Sequence, residues 1–145
     1  MGPTTFKVSG LKEVQTALAR LGPELAEQVG DSAVRAMAKP ILDETKRRAP
    51  RETGDYAENG IGFAKDKSRS GRGRRAGMIG VRGVGRRIAH LLEFGTSKMS
   101  AKPHFRPALD SRASDAVKAG AEALARGLKN VARRLATGKK VRGVR

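Results

Sequence analysis

The chain has 145 residues, of which 38% are hydrophobic, a size and content that suit one domain with a modest core. It contains no cysteine, which excludes a disulfide scaffold and a thiolate metal site, and no apolar run approaches the length of a membrane span. Net charge is +17 and segregated: residues 1–64 hold 9 Lys/Arg against 9 Asp/Glu, residues 65–145 hold 22 against 5, so one part of the surface should attract nucleic acid or an acidic protein.

Thr4 to Val8, rich in β-branched and aromatic residues, predicts a short strand, and Ser9 then offers an N-cap for a helix carrying Leu11, Val14, Leu18 and Leu21. The N-terminus lacks the charged-then-apolar layout of a signal peptide, so an unexported, soluble protein is expected. From Pro23 to about Ala49, Leu25, Val29, Ala33, Met37 and Ile41 recur every four residues and predict a long helix. Pro40 lies inside it and should kink or split it. Asp43 with Arg47 and Glu44 with Arg48 are i, i+4 pairs that read as surface decoration.

After the stop at Ala49-Pro50 comes a turn around Thr53 and Gly54, and Ile61 with Phe63, then Ile79 with Val81, alternate with small residues as two strands of a hairpin. The connection from Lys65 to Arg75 is dense in glycine, serine and arginine and reads as a mobile, basic tip. Its Gly-X-Gly fragments, like Gly83 to Gly85, lack the strand and helix context of a nucleotide site. The last third predicts a helix from about Pro107 into the mid-130s, with Val117, Ala121, Leu124, Leu128, Val131 and Leu135 as a heptad-like seam that closes the protein's own core or docks its distal half on a neighbouring subunit. The domain thus covers 1–136, and residues 137–145 form a basic tail expected to be disordered until it meets something negative.

The stretch from His90 to Asp110 organises the rest. Ile88, Leu91 and Leu92 share one helical face, Gly95 sits where a left-handed cap needs no Cβ, and Pro103 and Pro107 bracket Phe105, which should plug an apolar gap from an extended segment. Pro107 then suits the first turn of the last helix. Glu93-Phe94-Gly95-Thr96-Ser97, followed by Ala101, Pro103, Phe105, Pro107, Ala108 and Leu109, with Ala49, Pro50, Thr53 and Gly54 upstream, resembles the two motifs of the tail-completion (neck) protein family of long-tailed bacteriophages. Tyr56 stands where that family has leucine, and His104 separates Pro103 from Phe105, which many members run together.

The resemblance implies a virion structural protein of the head-tail junction, made in the host cytoplasm and working as a ring. Its implied partners are further copies of itself and tail-tube, tail-terminator or head-connector proteins. Packaged double-stranded DNA is a further candidate partner, a membrane is not, and no cofactor is implied.

No catalytic constellation stands beside it. His90, Glu93 and His104 can be drawn as a two-histidine, one-carboxylate metal site, but His90 reads as a half-buried packing residue and Glu93 as a partner of backbone amides or of a basic side chain near Gly95. Asp66, Glu93, Asp110, Asp115 and Glu122 are too dispersed for a magnesium nuclease, and Ser97 and Ser100 lack a paired base. The expected fold is α+β: a small, mostly antiparallel sheet with a long basic hairpin, packed against the long N-terminal helix and a C-terminal helix. The alternative function is sequence-independent DNA binding through Lys65, Lys67, Arg69, Arg72, Arg74, Arg75, Arg86 and Arg87 on the hairpin side and Lys139, Lys140, Arg142 and Arg145 in the tail.

Overall fold

The computed structural model describes residues 23–51, 56, 59–71, 74–83 and 85–136. In chain order these form α1 (Pro23–Arg48), β1 (Ile61–Lys65), β2 (Gly77–Val81), α2 (Gly85–Phe94) and α3 (Phe105–Ala136). The class is α+β, with a two-stranded antiparallel sheet beside two long helices. The strand expected at Thr4 to Val8, the helix over Leu11 to Leu21, Thr53, Gly54, Arg72 and the whole tail with Lys139, Lys140, Arg142 and Arg145 lie outside the described residues.

Helix α1 runs unbroken through Pro40 and stops before Pro50, where the residue ahead of a proline is pushed out of helical geometry. Lys46, Arg47 and Arg48 fill its last turn, where cations meet the negative end of the helix dipole. The expected core face holds at Leu25, Val29 and Ala33, but Met37 is exposed and Ala38 is buried in its place. A strict four-residue repeat advances about 40° per step on a helix of 3.6 residues per turn, so it walks off the core after three steps.

Helices α1 and α3 pack antiparallel: Val29 faces Gly127, Met37 faces Gly120, and Glu44 meets Arg112. The seam that makes this contact follows the expected heptad only in its distal half. Ala108, Ala116, Gly120, Ala123 and Val131 are buried, Leu124 and Leu128 flank them, and Ala121 is exposed. Small residues let the two backbones approach: a Cβ on Gly120 would lie 2.2 Å from Met37 Cγ. The distal half of the stripe closes on Leu25 and Val29 of the same chain.

The hairpin has the alternation predicted, with Ile61 opposite Val81 and Phe63 opposite Ile79. Ile61 is almost fully buried and joins Ala49, Tyr56 and Leu92 in a second core cluster, bordered by Leu42, Ile79, Val81, Ala89 and Phe105. The connection expected to be loose is organised around Asp66. Its carboxylate accepts the Ser68 and Arg69 amides and the Ser68 hydroxyl, and Ser70 Oγ bridges Asp66 O to the Ala76 amide. The Ser68 hydroxyl and these amides hold the Asp66 carboxyl below its ordinary range.

Glu44 is a second correction. Read as surface decoration, it is only 4% exposed and accepts Arg47 at 2.5 and 3.1 Å, Arg48 at 2.6 Å and Arg112 at 3.5 Å. Hydrogen bonds from Arg47 and Arg48 lower its pKa to about 2. Asp43 pairs with Lys39 at 2.8 Å instead of with Arg47.

Candidate interaction site

Three structural pieces meet where α2 ends and α3 begins. Gly95 has φ +75°, and its amide closes on Leu91 O at 2.8 Å, the left-handed cap the sequence predicts. A Cβ there would sit 2.8 Å from both Ala101 N and Met99 O. Thr96 and Met99 exchange backbone hydrogen bonds, and the Lys102 amide returns to Leu92 O at 2.7 Å, so the loop folds back over the end of α2.

That return brings Glu93 to the start of α3. Its Oε2 accepts the His104 and Phe105 amides at 2.8 and 3.1 Å, and Oε1 accepts the Arg106 amide at 3.0 Å. The next residue, Pro107, has no N–H. One carboxylate and one proline therefore dispose of the unpaired donors of a helix start, and the negative charge lies at the positive end of the dipole. Burial works against the Glu93 charge, but the three amides outweigh it and hold the carboxyl below its ordinary range.

Phe105 does not plug the core from an extended segment. It is the first residue of α3 and half-buried, because the Glu93 cap starts the helix there. The deep position belongs to His104, which is 0% exposed. Its Nδ1 lies 3.2 Å from Lys102 O and 3.4 Å from Glu93 Oε2, and its Nε2 lies 2.9 Å from the Tyr56 hydroxyl. A carbonyl only accepts, so Nδ1 carries the proton and the Tyr56 O–H donates to Nε2. Burial and the nearby Glu93 charge raise the Tyr56 pKa, which keeps that hydroxyl protonated. Sequence reasoning missed this pair, although each residue had stood out as a departure from the motif pattern.

The remaining motif residues divide. Pro50 and Pro107 are half-buried, while Pro103, Thr96 and Phe94 are exposed. Phe94 is 80% exposed and Leu109 50%. Both line a groove of about 920 Å³ between α1, the hairpin and the start of α3, with Val34, Ile41, Phe63 and Phe105 on its walls. Large apolar side chains left in water beside an apolar groove mark a surface for another molecule.

Of the basic candidates, Lys65 pairs with Asp31 at 2.5 Å, and Arg75 pairs with Glu27 and, at 3.9 Å, with Asp31. These two fasten the hairpin to α1. Arg69 lies 3.6 Å from Asp66, and Arg74 donates to Arg69 O. Lys67, Arg86 and Arg87 are exposed. His90 is exposed, contrary to the half-buried reading, and among the described residues no group of three or more His, Asp or Glu side chains is placed to hold a metal ion. No helix among the described residues is long and apolar enough to cross a membrane.

Residues 12–95 match the family described as "Bacteriophage HK97-gp10, putative tail-component". The chain belongs to this family. The matched stretch contains α1, the hairpin and α2 and ends on Gly95, so it includes Glu93 and Phe94 and stops short of His104 and α3. Membership supports a structural role in the phage tail. No curated protein and no solved structure matches the chain.

Proposed function

We propose that this protein is a non-enzymatic virion component of the head-tail junction that completes the tail, or joins it to the capsid, as one subunit of a homo-oligomeric ring. The observation that carries the reading is Phe94. It lies in the matched family stretch, yet it is 80% exposed beside the apolar groove, so the fold itself makes little use of the side chain. A buried aromatic anchor is the kind of residue on which interfaces concentrate their energy. In a closed ring each subunit offers one patch to a different patch on the next, and a groove with an aromatic rim suits that arrangement. Tail-tube, tail-terminator and head-connector proteins are the axial neighbours this reading requires, and the virion is its location.

Multi-angle light scattering on the full chain, alone and mixed with tail tube or head connector, tests the proposal. Oligomers or co-assemblies are expected, and monomer under every condition overturns it. A second reading, sequence-independent contact with packaged DNA, draws on the 22 Lys/Arg against 5 Asp/Glu in residues 65–145.

A further inference from the structure

Several cations of the described fold are held by acids, but one cleft is different. Between α1 and β1 lies a cavity of about 680 Å³ whose rim carries Ser32, Arg35, Lys39 and Arg82 around Phe63, and no carboxylate among the described residues lines it. Arg35 sits with its guanidinium carbon 6.0 Å from the centre of the Phe63 ring. Arg82 donates from Nη2 to Phe63 O at 3.0 Å, and its guanidinium crosses Gly62, where an added Cβ would lie 3.5 Å from Nε. Two guanidiniums are thus placed beside one residue, Arg82 by a hydrogen bond and Arg35 near the ring. Lys39 adds an ammonium paired with the exposed Asp43.

Arg82 also lines a second cavity of about 510 Å³, which holds Arg86 and again no carboxylate among the described residues. Arg35, Arg82 and Arg86, from three separate segments, therefore form one track with Arg82 as the shared member. Only Arg86 belongs to the set that charge density along the chain had singled out; Arg35 comes from the half of the sequence with no net charge.

We propose that this arginine track grips the phosphate backbone of double-stranded DNA. Successive guanidiniums suit repeating phosphates, since each planar fork can take two phosphate oxygens. Arg35 already stands 6.0 Å from the centre of the aromatic ring in the cleft, where an unpaired base would have to stack. Contact is therefore to the backbone of duplex and blind to sequence. This deepens the DNA-contact reading above and is independent of whether the ring forms.

The test is fluorescence anisotropy of a labelled duplex of about 20 base pairs with the full chain, read from about 50 to 200 mM salt, where each neutralised phosphate contributes a slope near −0.9. Replacing Arg35, Arg82 and Arg86 together by alanine should flatten the slope by about 2–3 units. A charge-matched control, Lys98→Ala with Lys118→Ala and Lys129→Ala, removes as much charge from exposed sites elsewhere and should change it by less than about one unit. Should the triple variant melt early, Arg35→Ala alone carries the test with a loss of about one unit. Equal losses in variant and control, or no duplex binding by the full chain at the lowest salt, overturn the proposal. So does a variant that loses binding to poly-glutamate while keeping duplex, which would assign the track to an acidic protein. Light scattering on the same variant should match wild type, which separates a lost DNA contact from a failed ring.

Discussion

The Tyr56 hydroxyl donates to His104 Nε2 across 2.9 Å inside the core, so two residues 48 apart in sequence, each a departure from the motif pattern, are partners. Their rings meet edge-on with centroids 5.7 Å apart, and His104 lies 4.6 Å from the Phe105 ring. The pair ties the segment after α1 to the turn that starts α3. Where a leucine met apolar neighbours, neither residue would be tolerated alone, because each would bury an unpaired polar group.

Tyr56→Phe should therefore destabilise the fold by about 1–3 kcal/mol, the cost of leaving His104 Nε2 buried without a partner. His104→Leu should cost a similar amount by stranding the tyrosine hydroxyl. The double variant should be less destabilised than the sum, with a coupling of about 0.5–3 kcal/mol in chemical denaturation. Strict additivity would mean that the 2.9 Å contact contributes nothing.

Glu93 makes the second prediction. Glu93→Ala removes acceptors from three backbone amides at once, so its cost should reach or exceed about 2 kcal/mol, the upper end for a lost cap. Glu93→Gln keeps one acceptor oxygen and puts an NH2 donor where the other stood, so it should fall between wild type and alanine.

Acid should act through the same carboxylates. Glu44 and Glu93 both have folded pKa values below the ordinary 4.5, Glu44 at about 2. A group depressed on folding adds stability that is complete above its unfolded pKa and is lost as pH falls through the folded value. Melting temperature should hold down to about pH 4.5 and then drop toward pH 2. The Glu44→Gln and Glu93→Gln proteins should start lower at neutral pH and show a shallower fall. A parallel fall in wild type and both variants would show that these two groups do not govern acid stability.

The helix seam gives a prediction of sign. Alanine gains about 1 kcal/mol over glycine in a helix interior, while overpacking costs about 1–3 kcal/mol. A Cβ on Gly127 would meet the stiff, buried Val29 side chain at 2.8 Å, so Gly127→Ala should be net destabilising. At Gly120 the obstacle is Met37 Cγ, close to the backbone but on a flexible side chain partly in solvent that can turn away, so Gly120→Ala should cost less than Gly127→Ala. Equal effects at the two sites would contradict this seam.

Much of the frame was legible because it depends on neighbours in sequence. The four-residue spacing from Leu25 marked α1, the alternation at Ile61, Phe63, Ile79 and Val81 marked the hairpin, and Gly95 marked the end of α2. What was not legible depends on contacts across the fold. Glu44 looks like a surface acid until Arg112, 68 residues away, closes over it. The α3 seam held at Leu124, Leu128 and Val131 but was misplaced before them because large apolar residues were followed, whereas close helix packing selects Gly120, Ala123 and Gly127. Lys65 and Arg75 were read as DNA-contact candidates because nothing local shows that Asp31 and Glu27 wait on α1. At the candidate site, Glu93 was legible as a ligand of backbone amides or of a basic side chain, and the choice is fixed only by the loop that returns Lys102 to Leu92.

The central claim is that Phe94 and its groove serve assembly and not folding. The most direct measurement pairs thermal melting with light scattering for wild type and Phe94→Ser, each alone and mixed with tail tube or head connector. A side chain 80% exposed should leave the melting temperature within the effect of an ordinary surface change, about 0.5 kcal/mol, while the variant loses the oligomer or co-assembly that wild type forms. A Phe94→Ser protein that assembles as fully as wild type, or a wild type that remains monomeric throughout, would contradict the account.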